Sequence, residues 1–181
     1  MTPTPPDEAG HYDAVVYDLD GTLVRLLVDW SRVATDVAAT LRERGATPPD
    51  DLWAMLQHAK ETGHHDAVEA VIADHERDGA RRSERLPRAD DLPLSVPVGV
   101  CSLNCAAACR IALDTHGLDD HVRVVVGRDS VATEKPDPEP LLATVRALDA
   151  TPERTLFVGD SERDERTARR AGTAFEWVET E

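Results

Sequence analysis

The chain is almost empty of lysine. Lys60 and Lys135 are its only two, so 18 of the 20 basic side chains are arginine, set against 35 aspartate and glutamate residues and a formal net charge of -15. Such a surface repels phosphate backbones, which argues against nucleic acid as a partner. Long apolar runs are missing too: no stretch approaches the ~18 residues that a membrane-crossing helix requires. The opening MTPTPPDEAG has neither a basic end nor an apolar core, so it reads as neither signal peptide nor anchor. A flexible tail over residues 1–10 and a cytoplasmic protein with no membrane partner are expected. Cysteine is scarce and odd in number, at Cys101, Cys105 and Cys109. Without an export signal no disulfide is expected, and the spacing fits small buried hydrophobes better than a zinc site.

What is present is enough for one ordinary domain or a core with a small insertion. The chain has 181 residues, 41% hydrophobic and 30% charged, and can bury a sizeable core. Its excess of carboxylates over lysine resembles proteins from salt-loving archaea, in which molar salt shortens the screening length to ~3 Å. A halophilic protein is therefore expected.

Short apolar runs recur at 14–17, 96–101, 122–126, 155–158 and 174–178, each bounded by Gly, Asp or Pro. Strands buried on both faces have this pattern. Helical patterns at 104–116, 139–148 and 163–171 alternate with the later runs, which predicts a doubly wound, Rossmann-like parallel α/β sheet. Residues 25–91 break the rhythm with three helical stretches and no convincing strand. In the first, Trp30, Val33, Ala34, Val37, Ala38 and Leu41 form an apolar stripe. Leu52, Met55, Leu56 and Ala59 mark the second, and Ala67, Val68, Val71 and Ile72 the third, which trails into a charged run. The expected organisation is an α/β core over 11–24 and 92–181, interrupted by a small all-helical insert over 25–91.

In open α/β sheets, functional groups gather at the carboxyl ends of the strands. Four polar features fall there. In YDLDGTL, Asp18 and Asp20 follow the first run, and alternation points both to one side, with Gly21 free to turn the chain away. Two carboxylates at the edge of a core are costly unless compensated. In VGVCSLN, Ser102 ends a strand and Asn104 is placed to cap the next helix. Lys135 stands in TEKPDPEPL, and Asp160 with Asp164 in LFVGDSERDERTARRAG.

Taken in order, Asp-x-Asp-Gly-Thr, a strand-end serine, Lys-Pro-x-Pro and Gly-Asp-x-x-x-Asp resemble the four motifs of the haloacid dehalogenase-like superfamily. The resemblance covers the whole core, and the insert sits where that family carries a helical cap. It implies a Mg²⁺-dependent phosphatase of the phosphoglycolate phosphatase-like kind, acting on a small phosphorylated metabolite. Asp18 would be the nucleophile that forms an aspartyl-phosphate, and Asp20 the general acid and then base. Mg²⁺ would be held by Asp18, Asp20 through its main-chain carbonyl, and Asp160, with Asp164 a further ligand or an orienting acid. Ser102 and Lys135 would bind the phosphoryl group. A dehalogenase is disfavoured because Asp20 is present. A phosphomutase and a non-catalytic binding protein of the same fold stand as alternatives.

Relatives often continue the first motif with an acid, whereas this chain has Arg25. Arg25 is a candidate for contacting an anionic part of the substrate, against a surface ion pair. Arg81, Arg82, Arg85 and Arg88 could attract anions but read better as a solvated face. His58, His64, His65 and His75 read as loop or surface residues rather than as a metal site.

Overall fold

The computed structural model describes residues 11–179. The tail expected over 1–10 lies outside the described residues. From the N-terminus, β1 (Ala14–Tyr17) leads to a two-residue strand β2 (Val24–Arg25). Three helices follow, α1 (Trp30–Glu43), α2 (Leu52–Thr62) and α3 (His65–Arg81), and then a second short strand, β3 (Glu84–Arg85). The chain continues through β4 (Val98–Cys101), α4 (Ala106–Thr115), β5 (Val124–Val126), α5 (Glu139–Ala147), β6 (Thr155–Gly159), α6 (Glu162–Ala171) and β7 (Ala174–Trp177).

Five strands pair side by side in the order β5-β4-β1-β6-β7, all parallel. Period-two alternation sorts their side chains between two layers. Val15, Tyr17, Val98 and Val100 pack with Ala108, Cys109, Ala112 and Leu113 of α4 on one face. Ala14, Val16, Cys101 and Phe157 pack with Leu141 and Val145 of α5 and Ala168 and Ala171 of α6 on the other. Both faces are therefore dry, which is why the strands read as unbroken apolar runs. The doubly wound α/β core is as expected. Two strands start later than their apolar runs, β4 at Val98 and β5 at Val124. Pro97 has no N–H to give a ladder, and only its carbonyl is used, by Val15 N–H at 3.1 Å.

The helices between the short strands share an apolar cluster of their own: Val33, Val37 and Leu41 of α1, Met55 and Ala59 of α2, and Val68 and Ile72 of α3. Asp29 caps α1 by accepting from Ser31 and Arg32 N–H, and Asp51 caps α2 through Ala54 N–H. Two features depart from the sequence reading. Trp30, expected in the α1 stripe, is 46% exposed. The segment also contains strands after all, since β2 and β3 pair antiparallel, Val24 with Arg85 and Arg25 with Glu84. A pair this short leaves no run long enough for periodicity to register.

Candidate active site

Beyond Tyr17 the chain leaves the extended state at once. Thr22, Leu23 and Val24 N–H groups all donate to Leu19 O, and Gly21 N–H donates to Val24 O. Gly21 adopts φ +86°, and a Cβ there would lie 2.1 Å from Asp160 Oδ2, so only glycine lets the turn lie against Asp160. Asp18 and Asp20 face one cavity because of this turn, whereas the expected alternation along a strand stops at Tyr17. Asp18 is buried. Asp20 is half-buried, and its Oδ1 accepts from Leu26 N–H at 2.9 Å.

Lys135 reaches in from the loop before α5, with only 4% of its surface exposed. Its Nζ donates to Asp18 Oδ1 at 3.0 Å, Asp164 Oδ1 at 2.6 Å and Cys101 O at 3.1 Å. Asp164 stands on the first turn of α6, whose cap, Ser161, accepts from Asp164 N–H at 3.2 Å and donates its hydroxyl to Asp164 Oδ2 at 2.9 Å. Both oxygens of Asp164 are thus engaged. Carboxylate oxygens of Asp18, Asp160 and Asp164 lie within 4.8 Å of one another, the one such group of potential metal ligands among the described residues. The Asp20 carboxylate is outside that group.

Electrostatics follow from this crowding. Burial pushes the Asp18 carboxyl up to about 7 despite the opposing charge of Lys135, with Asp164 adding to the rise. Burial also raises Asp20, against the Leu26 hydrogen bond that lowers it. The flanking carboxylates of Asp18 and Asp164 raise Lys135 although its burial acts the other way, so its ammonium stays charged. One positive charge faces three carboxylates, and the site is short of cation.

Ser102 follows β4 and is buried. Its hydroxyl donates to Asn104 Oδ1 at 3.2 Å, and Asn104 N–H donates back to Ser102 Oγ at 3.1 Å. Asn104 does not cap α4 as expected. That helix begins one residue later than such a cap requires, with Cys105 at the cap position. The leading N–H groups go elsewhere, Cys105 to Glu76 Oε2 at 2.9 Å and Ala106 to Asp129 Oδ1 at 2.8 Å. A Cβ on Gly127 would come within 2.3 Å of Ala106 N, so the close approach of β5's end to this helix needs glycine.

Asp18, Asp20, Lys135, Asp160 and Asp164 all line one open cavity of about 1430 Å³, whereas Ser102 is not among its lining residues. Its far wall comes from α1, α2 and α3, with Trp30, Trp53 and Lys60 exposed there. The Arg163 guanidinium of α6 lies 6.0 Å from the centre of the Trp53 ring. These wall residues were missed in the sequence, as were Glu76 and Arg128. Arg25 is not among the residues lining the cavity and pairs with Glu84 at 3.3 Å, both side chains exposed, which fits the surface ion pair. Arg81 pairs with Asp78, Arg85 with Asp90, and Arg88 with Asp91 and Glu176, while Arg82 donates to Leu27 O. That cluster is engaged within the protein and not aimed at a ligand. His75 binds Asp36 at 2.8 Å, and Cys101, Cys105 and Cys109 are buried free thiols.

A family model for haloacid dehalogenase-like hydrolases matches residues 93–178. A phosphoglycolate phosphatase of Cereibacter sphaeroides is 33% identical, the match covering 89% of this chain and 82% of that protein. A phosphoglycolate phosphatase of Rhodospirillum rubrum is 31% identical over 88% and 76%. Among solved structures, a subfamily IA hydrolase of this superfamily from Geobacter sulfurreducens superposes with TM-score 0.61 at 27% identity, covering 91% of this chain and 88% of that one. CbbY from Rhodobacter sphaeroides, solved in complex with phosphate, gives TM-score 0.65 at 18% identity over 92% and 85%.

Proposed function

Since this chain belongs to the haloacid dehalogenase-like hydrolases and is a phosphatase acting on phosphate esters, we propose that it hydrolyses a small phosphorylated metabolite of the phosphoglycolate kind through an aspartyl-phosphate, with Mg²⁺ as cofactor. The observation that carries the reading is the grouping of Asp18, Asp160 and Asp164 about Lys135 on the floor of the cavity. The donor set is all oxygen and anionic and is undercompensated by one ammonium, which fits a hard divalent cation. Asp18, the Asp20 main-chain carbonyl and Asp160 would hold it directly. Asp164, with both oxygens bonded, serves mainly to hold Lys135. Bound Mg²⁺ would neutralise charge building on the phosphoryl oxygens.

Lys135 fixes Asp18 through Oδ1, and Oδ2 has no hydrogen bond among the described residues. That oxygen attacks phosphorus in line while the bond from phosphorus to the leaving oxygen breaks. Asp20, protonated in the substrate complex, gives its proton to the departing alkoxide. Burial raises its pKa above the ordinary carboxylate value, the direction that a proton donor requires. The resulting Asp20 carboxylate then takes a proton from water, the hydroxide attacks the aspartyl-phosphate, and phosphate leaves with Asp18 restored. Ser102 hydrogen-bonds the phosphoryl group through both steps, while Lys135, whose three N–H groups go to Asp18, Asp164 and Cys101 O, offsets the charge of phosphate and carboxylates. Residues 25–91 act as a cap that walls the cavity and excludes bulk water. A cytoplasmic setting, in which its buried thiols stay reduced, belongs to the same reading.

The deciding experiment is hydrolysis of a panel of phosphate monoesters in ~2 M KCl with Mg²⁺, a salt level chosen to screen the net charge. Wild type turns over, while Asp18→Asn and EDTA-treated wild type do not. Turnover that survives Asp18→Asn would refute the aspartyl-phosphate.

A further inference from the structure

We propose that Glu76 is a positioning residue that sets the Ser102 hydroxyl through Asn104. The inference rests on the reading of Ser102 as a phosphoryl-binding group. Glu76 lies on α3, fully buried, and no step of the chemistry uses it. Four donors saturate its carboxylate. Arg128 gives Nη1 to Oε1 at 2.6 Å and Nη2 to Oε2 at 3.0 Å, Asn104 gives Nδ2 to Oε1 at 3.3 Å, and Cys105 gives its N–H to Oε2 at 2.9 Å. Arg128 also donates Nη1 to Leu103 O at 2.7 Å.

The Glu76 and Arg128 side chains therefore hold three points of the 102–105 turn, the Leu103 carbonyl, the Asn104 amide and the Cys105 N–H, beside the backbone bonds of Ser102 N–H to Val126 O and of Arg128 N–H to Asn104 O. The negative charge of Glu76 decides which way the Asn104 amide faces, NH₂ toward Glu76 and Oδ1 toward Ser102. Ser102 Oγ then sits between Oδ1 and the Asn104 N–H, at 3.2 and 3.1 Å, which fixes its rotamer. Neither bond is short, so the hydroxyl, keeping its proton, can turn its hydrogen bond to an arriving phosphoryl oxygen. A buried carboxylate is a poor adhesive compared with an apolar residue of the same volume. The rim of the contact already has an ion pair that needs no such burial, since Glu69 on the same helix accepts from Arg128 Nε at 3.1 Å. What Glu76 adds is the orientation of Asn104.

The test compares KM and kcat for a phosphate monoester, and Ki for inorganic phosphate as a competitive inhibitor, across Glu76→Gln, Glu69→Gln, Asn104→Ala, Ser102→Ala and the double variant Glu76→Gln with Ser102→Ala. Glu76→Gln and Asn104→Ala raise KM and phosphate Ki about tenfold, in line with the loss of an orienting partner, while kcat changes less. Glu69→Gln, whose side chain lines the cavity but hydrogen-bonds to Arg128 and not to Asn104, stays within about twofold. Glu76→Gln adds nothing once Ser102 is alanine, because residues acting in series are not additive. If Ser102→Ala weakens phosphate binding but the Glu76 effect is absent or additive, the inference alone falls. If Ser102→Ala changes nothing, the phosphoryl-binding reading falls and takes the inference with it. Should Glu76→Gln not fold, Asn104→Ala decides, and an unchanged phosphate Ki in that variant overturns the proposal.

Discussion

Lys135 Nζ lies 2.6 Å from Asp164 Oδ1, with both side chains buried. The contact joins a lysine from the loop before α5 to an acid on the first turn of α6, and the same ammonium reaches Asp18. Replacing Lys135 by Met leaves these carboxylates buried without a counter-charge. Removing one partner of such a pair costs about 3–5 kcal/mol of stability. Denaturant unfolding of Lys135→Met should show a loss of that order together with loss of turnover. Asp164→Asn, which keeps a hydrogen-bond acceptor for Lys135, should cost distinctly less.

Asp20→Asn removes the proposed proton donor without altering the group of Asp18, Asp160 and Asp164. The expected loss in kcat is about 10²–10⁴-fold on an alkyl phosphate. On p-nitrophenyl phosphate, whose leaving group departs without protonation, the first-turnover burst of p-nitrophenol should slow much less, although later turnovers slow because Asp20 also activates water. Equal losses in the first turnover on both substrates would remove Asp20 from the role of general acid.

Asp18 supplies a pH test. Its folded pKa, about 7, stands above the ordinary value of 3.8. Between those values the folded state binds the extra proton, so this group makes the metal-free fold less stable as pH rises. In EDTA, the melting temperature of Asp18→Asn minus that of wild type should therefore grow from pH 5 to pH 8. Mg²⁺ competes with the same proton, so its apparent affinity for wild type should rise over that interval, with proton release on binding. Isothermal titration in buffers of different ionisation enthalpy measures both.

The net charge of -15 on 181 residues leads to a salt dependence. Raising KCl from ~0.1 M to ~1 M shortens the Debye length from ~10 Å to ~3 Å, which relieves self-repulsion across the surface. The melting temperature should climb steadily over this range, and in Mg²⁺ activity should climb with it. A flat response would remove the halophilic reading.

The parts of the site that were legible in the sequence are those whose environment is local. Asp18, Ser102 and Asp160 each follow an apolar run, and a buried parallel strand announces its own polar end. Lys135 stood out because lysine is so rare here. The 68-to-80 stretch holds a further signal. Val68, Ile72, Glu76 and Ala80 recur every four residues, and all four are buried. A carboxylate in register with an apolar stripe is itself a sign of a partner arriving from elsewhere in the chain. That partner, Arg128, follows Val-Val-Val-Gly at the end of β5 and gives no local hint, because the ion pair spans 52 residues. Trp30 failed for the opposite reason. It keeps the helical period but begins α1, where the helix has not yet met its neighbours, and so it faces the cavity.

The two short strands carry a consequence for how such a protein is assembled over generations. Val24 is paired with Arg85 and Arg25 with Glu84, so the chain enters and leaves the helical segment at the same place. Anything spliced between those two positions has its ends already side by side, and the register of the five-stranded sheet is indifferent to what it is. A gene could exchange this segment in a single event and present the same carboxylates and lysine to a different molecule, provided the newcomer supplied a partner for Asn104 and Arg128 in place of Glu76.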